Sequence, residues 1–178
     1  LIQTTAGEGN DQLVDDMYST PDGQSVVASR PSFADVVSIN IKTGKINWRT
    51  PVESFRADHM AVSPDGQRVA VSASSGNVVH VLDIHTGKEL GRFSTGDKPH
   101  ENIYFDGGNK ILNSAIGNVE TSMDAQWQDF TKGKRFITIA DANTHQVVRK
   151  IDFRPALDAF GRKDLSNSVR PMVFSKDE

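Results

Sequence analysis

Two short stretches of the chain set an imidazole directly beside a carboxylate: Asp58-His59 in ADHMAVSPDG (57–66), and His100-Glu101. Histidine titrates near neutrality, so His59 and His100 are candidate general acid/base groups. Arg30, Arg56 and Arg170 could neutralise an anionic substrate, and Tyr104 is a candidate proton donor. Imidazole, arginine and tyrosine together suit β-elimination of a uronate. Arginine offsets the carboxylate charge and makes the α-proton more acidic, while His or Tyr moves protons. Trp127 could stack on a sugar ring, although a loop tryptophan more often packs its own small cluster. Asp16, His59, His100 and Glu101 also offer mixed nitrogen and oxygen ligands to a divalent cation. Their spacing fits no established ligand motif, and no cofactor is required by the sequence.

Other chemistries are excluded on simple grounds. The 178 residues contain no cysteine, which removes disulfides, thiolate catalysis and Cys-ligated zinc. Net charge is −3 with 24% charged residues, so the basic footprint of a nucleic-acid binder is missing. No apolar run is long enough to span a membrane. The glycine-rich GEGN (7–10) and DGGNK (106–110) lack the lysine spacing of a phosphate loop, and no Gly-x-Ser-x-Gly elbow occurs.

The elements that must position these residues are repeats. STPDGQSVVAS (19–29) recurs as VSPDGQRVAVS (62–72) and more loosely as FDGGNKILNS (105–114), with FSKDE opening a fourth copy. VVSINIKTGKINW (36–48) recurs as VVHVLDIHTGKEL (78–90) and FITIADANTHQVV (136–148). Gly23 and Gly66 lie 43 residues apart, as do Gly44 and Gly87. Pro-Asp-Gly suits a turn because proline presets φ and glycine accepts φ > 0. Thr-Gly-Lys after an alternating β-branched run reads as a tight hairpin. Each repeat therefore holds four strands, a to d, with PDG between a and b and TGK between c and d.

Four-stranded units of this length are blades of a β-propeller. The SPDG and D-x-x-T-G-K turns make the chain resemble the YVTN or WD40-like bacterial propellers over nearly its whole length. The third copy departs from that pattern, with Asp106-Gly107-Gly108 and Asn143-Thr144-His145 at the two turns. The expected fold is all-β, with about three and a half blades here of a ring that the resemblance implies has seven. Residues 1–10 read as the outer strand of a preceding blade, followed by blades at 12–53, 54–96 and 97–153, and by the start of another at 154–178. The remaining blades are expected to close the ring.

Aligned on the turns, two neighbouring polar columns emerge at the start of strand a: Asp15, Asp58, His100, Arg170 and Asp16, His59, Glu101, Pro171. YVTN-type repeats usually carry small or apolar residues there. Strand a lines the central channel, so these columns mark its mouth, on the face opposite the PDG and TGK turns. Both long insertions, the b–c loop at about 116–132 and the d–a loop at about 154–167, fall on the same face, and loops above roughly 12 residues tend to be functional. His85 and His145 are expected on the turn face and solvated, and His80 as a satisfied packing residue.

The leading expectation is a carbohydrate-active lyase using His59 or His100 on a uronate-containing glycan, with an anionic oligosaccharide or other small polar ligand as partner. Some propeller enzymes that cleave rhamnose–glucuronate linkages look similar in carrying histidine on such a face. The alternative is a non-catalytic propeller binding a protein, glycan or metal ion there. The family resemblance and the lack of cysteine imply a secreted or periplasmic location.

Overall fold

The computed structural model describes residues 14–53, 56–118, 133–162, 168–169 and 172–175. The sequence readings at 1–10, at the centre of the b–c loop with Trp127, and at Arg170, Pro171 and 176–178 fall outside these residues.

Among the described residues, twelve strands form three four-stranded antiparallel sheets, each in sequential order. The first holds β1 (Met17–Ser19), β2 (Ser25–Arg30), β3 (Asp35–Asn40) and β4 (Ile46–Pro51). The second holds β5 (Ala57–Val62), β6 (Arg68–Ala73), β7 (Val78–Asp83) and β8 (Glu89–Ser94). The third holds β9 (Pro99–Phe105), β10 (Lys110–Ala115), β11 (Ile137–Asp141) and β12 (Val147–Ile151). These are propeller blades, and the strand period predicted from the repeats is the one observed. The d–a insertion reads as a loop in the sequence, yet Arg154–Ala159 forms a short helix, α1, with Pro155 in its first turn. Proline there needs no N–H partner and presets the helical φ.

The repeated turns are held by their own side chains. Asp22 Oδ1 accepts from Thr20 Oγ1 and Gln24 N, while Asp65 Oδ1 accepts from Ser63 Oγ and Gln67 N. At the second turn, Asn40, Asp83 and Asp141 each use Oδ1 to accept from the N–H and hydroxyl of Thr43, Thr86 and Thr144. Such Asx turns explain why Asp or Asn precedes Thr by three residues in every copy.

The blades also lock together through these turns. The Pro21 ring rests on Gly66 of the next blade, where a Cβ would overlap it, and Pro64 rests likewise near Gly108. Trp48 covers Gly87 and donates Nε1–H to the Ile84 carbonyl at 3.2 Å. Between the first two sheets lies an apolar core of Val27, Val36, Met60, Val69, Val71 and Leu82, all 0% exposed. Between the second and third lie Val79, Val81, Ile111 and Ala140 with Tyr104 and Phe93.

Candidate functional site

The polar pairs stand where the inner strands bulge. On β5, Ala57 pairs with Ala73 and Met60 with Val71, so Asp58 and His59 together face Ser72. On β9, Pro99 pairs with Ala115 and Asn102 with Asn113, so His100 and Glu101 together face Ser114. Ahead of β1, Asp15 N donates to Ser29 O, Ser29 N to Asp16 O, and Asp16 N to Ser29 Oγ. In each blade two adjacent polar residues thus oppose one buried serine. A bulge bends the strand and re-aims side chains, which is why bulges recur beside functional sites.

A buried amide–hydroxyl network fixes the bulges across blades. Ser72 Oγ donates to the His100 carbonyl at 2.8 Å and accepts from Asn102 Nδ2 (2.9 Å) and Asn113 Nδ2 (3.1 Å). Asn102 also donates to the His59 carbonyl at 2.9 Å, and Asn113 to the Glu101 carbonyl at 3.1 Å. On the other side, Met60 N donates to Asp16 Oδ2 at 2.8 Å and Tyr18 Oη to the Met60 carbonyl at 3.1 Å.

Three blades meet at His59. Its ring packs against that of His100 in a tilted pair, with centroids 3.9 Å apart and 36° between planes. Nδ1 lies 3.5 Å from Asp16 Oδ2 and 4.0 Å from Glu101 Oε2, and Nε2 lies 3.9 Å from Asp58 Oδ1. The Asp16 hydrogen bond, aided by the charges of Asp15 and Asp58, outweighs burial and lifts the His59 imidazole to about 8. Burial would raise Asp16, but the bonds from His59 and Met60 N–H leave it lowered. Glu101 is raised by burial, with His59 opposing.

Asp58 is 2% exposed. Its Oδ2 accepts from Ser74 Oγ at 2.5 Å and lies 3.1 Å from Arg56 Nε. Asp15 sits within hydrogen-bonding reach of it. Burial and the neighbouring Asp58 push the Asp15 carboxyl up to about 7, whereas hydrogen bonds from Asp15 and Ser74 and the Arg56 charge outweigh burial and lower Asp58. Two carboxyl groups this close cannot both ionise cheaply, so one keeps a proton into the neutral range. Arg56 holds φ +78°, and Lys98, at the matching position of the next blade, φ +55°. The two basic side chains leave the chain just before the paired residues of β5 and β9.

The structure brings Asp16, Arg56, Asp58, His59, His100 and Glu101 together at one end of the inner strands. Two predicted residues stand elsewhere. Tyr104 lies in the core between blades, 8% exposed, with Arg68 over its ring at 5.7 Å, and burial pushes its hydroxyl upward. It is four residues along β9 from His100, about 13 Å at strand rise, at the turn end of the blade. Arg30 is 3% exposed and makes a two-pronged bond to Asp35, both arms at 2.7 Å, so its charge is committed within its own blade. His145 also differs from expectation: it packs over Gly91 of the neighbouring blade, and burial lowers its imidazole. His80 is satisfied as expected, accepting from Glu53 N (2.9 Å) and facing Glu89 (2.9 Å).

The sequence reading missed Ser74, Tyr18, Lys98 and the Ser72–Asn102–Asn113 network. One signal was available: Ser29, Ser72 and Ser114 close the same apolar run in all three repeats, although a buried strand position normally favours an apolar side chain.

No family model matches the chain, and no curated protein matches it. Solved structures do. Kuenenia stuttgartiensis hydrazine synthase is similar at 22% identity and TM-score 0.63, over 84% of this chain and 38% of that one. The RRP9 WD40 repeats (14%, TM-score 0.62) and U3-55K (14%, TM-score 0.63) each match 81% of this chain and 40% of their own. The chain thus spans about two fifths of the length of these structures. Identity at this level speaks for fold alone. The chain has the fold of consecutive β-propeller blades.

Proposed function

We propose that the chain carries part of the ligand site of a binding propeller, and that a small polar ligand is held at the channel mouth by residues of three blades. The observation that carries this reading is the convergence on His59: Asp16 from the first blade and His100 and Glu101 from the third approach one side chain of the second. Each side chain is aimed by a strand bulge, and the bulges are tied together by buried amides. So much fixed polar geometry at one end of a channel is what a preformed site requires.

Binding is favoured over elimination because the lyase reading has lost two of its parts. Tyr104 is in the core and Arg30 is engaged by Asp35. One observation keeps elimination as a second reading. His59 is an acid titrating at about 8 beside a second imidazole, and Arg56 remains about half exposed to meet a carboxylate. A non-catalytic scaffold that holds a glycan or a protein segment through the same mouth belongs to the first reading.

The test compares wild type with His59→Ala and His100→Ala in the full-length protein, against a glycan panel that includes uronate oligosaccharides. Binding that both variants lose, without absorbance growing near 235 nm, is the expected result. An unsaturated product formed by wild type and lost in either variant would establish elimination. Binding or turnover unchanged in both would remove the mouth from the function.

A further inference from the structure

Asp58 is buried, and its two oxygens are treated differently. Ser74 and Arg56 both address Oδ2. Among the described residues, Asp58 Oδ1 is buried with no donor other than the Asp15 carboxyl beside it, and Asp15 Oδ2 is likewise buried without one. Buried carboxylate oxygens need a positive partner. A proton shared with Asp15 is one occupant; a metal ion is the other. His59 Nε2 lies 3.9 Å from Asp58 Oδ1. That is too long for a hydrogen bond, but ligand atoms about 2.0–2.2 Å from one ion stand about 3–4 Å from each other.

We propose that Asp58 Oδ1, His59 and His100 are the protein ligands of a divalent first-row transition-metal ion at the channel mouth. One ligand atom from each of the three lies within 4.8 Å of the others. The orientation of His59 suits the role. Asp16 faces its Nδ1, which fixes the proton there and turns the lone pair of Nε2 toward Asp58. A carboxylate behind the distal nitrogen is the usual outer partner of a metal-bound histidine. Two imidazoles and one carboxylate select zinc, cobalt, iron or manganese over magnesium and calcium, which prefer all-oxygen shells. Three protein ligands leave coordination positions open to the channel, where the ligand would complete the shell. This inference rests on the mouth being a ligand site and gives that ligand its anchor.

The experiment titrates metal-free full-length protein with Co²⁺, following its visible absorption, and then with Zn²⁺ as competitor; Mg²⁺ is the hard-cation control. The expected result is one Co²⁺ per chain, displaced by Zn²⁺ and indifferent to Mg²⁺. His100→Ala and His59→Ala should each weaken binding at least 100-fold, and His85→Ala, exposed on the opposite face, should not change it. Asp58→Asn risks misfolding, since Arg56 and Ser74 both lean on that carboxylate, so the histidine variants carry the decision, with folding checked by circular dichroism. Failure of wild type to bind Co²⁺, or binding unchanged in both histidine variants, would overturn the proposal. Glycan-panel binding lost in His59→Ala while wild type ignores Co²⁺ would sink the metal and leave the ligand site standing.

Discussion

At the turn end of the blades the same atoms recur in the same places; at the mouth no two blades carry the same pair. Asn40, Asp83 and Asp141 cap three turns alike, and Pro21 and Pro64 seat on the glycine of the next blade. At the other end the bulge and its serine recur, but the residues it presents are Asp15-Asp16, Asp58-His59 and His100-Glu101. A blade needs its turns to close and stack, so every copy must solve the same problem. A ligand is asymmetric, so each blade is free to offer something different around it. Uniformity marks the folding end, and variety is what the proposed ligand site would require at the other.

This contrast can be broken first at the turn end. Gly66→Ala should show the largest effect. Glycine there holds φ +67°, and a Cβ would overlap the Pro21 ring of the neighbouring blade. Together, strain and overlap should cost about 3 kcal/mol, read as a lower urea midpoint with unchanged slope. The folded protein should keep its Co²⁺ affinity.

Asn113→Ala tests the buried network beneath the mouth. It removes the donor to the Glu101 carbonyl and to the buried Asn102 Oδ1, while Ser72 Oγ keeps Asn102, and should cost about 2 kcal/mol. Unlike Gly66→Ala it should also weaken Co²⁺ binding, because His100 precedes Glu101 on the same bulge.

The third prediction concerns pH in the metal-free protein. His59 is raised to about 8 from an unfolded value of 6.5, so its contribution is fully present below pH 6.5 and is lost as pH rises through 8. A shift of that size corresponds to about 2 kcal/mol. Asp15, raised to about 7 beside Asp58, acts in the same direction between about pH 4 and 7. Urea unfolding at pH 6 and pH 9 should therefore show wild type losing stability toward pH 9. His59→Gln should lose less, and equal losses in the two proteins would contradict the assignment to His59.

Asp83→Ala should have the smallest effect. Its carboxylate caps an exposed turn through the N–H groups of His85 and Thr86, and removal should cost about 1 kcal/mol with no change at the mouth.

The fold was legible because its signals are local. PDG and T-G-K prescribe backbone angles within a few residues, and their 43-residue spacing counts the blades directly. The mouth columns were legible for a related reason, since a fixed offset from a turn fixes height along the strand. What sequence could not give was lateral direction. Whether Arg30 faces the channel or Asp35 depends on which strand it pairs with; the height of Tyr104, directly before the Asp106–Gly108 turn, was legible and already set it apart from His100. The bulges were hidden for the same cause: two residues against one is a property of the paired strand, not of the quoted run. The helix at Arg154–Ala159 leaves no readable pattern because six residues give fewer than two turns of periodicity.

The most direct test of the account is zinc-dependent thermal unfolding of three full-length proteins: wild type, Asp83→Ala, and the His59→Ala/His100→Ala double variant. A ion that binds only the folded state must raise the midpoint of any protein that retains the site. Equal zinc-induced rises are expected for wild type and Asp83→Ala, on different baselines, and none for the double variant. A rise that survives loss of both histidines, or no rise in wild type, would contradict it.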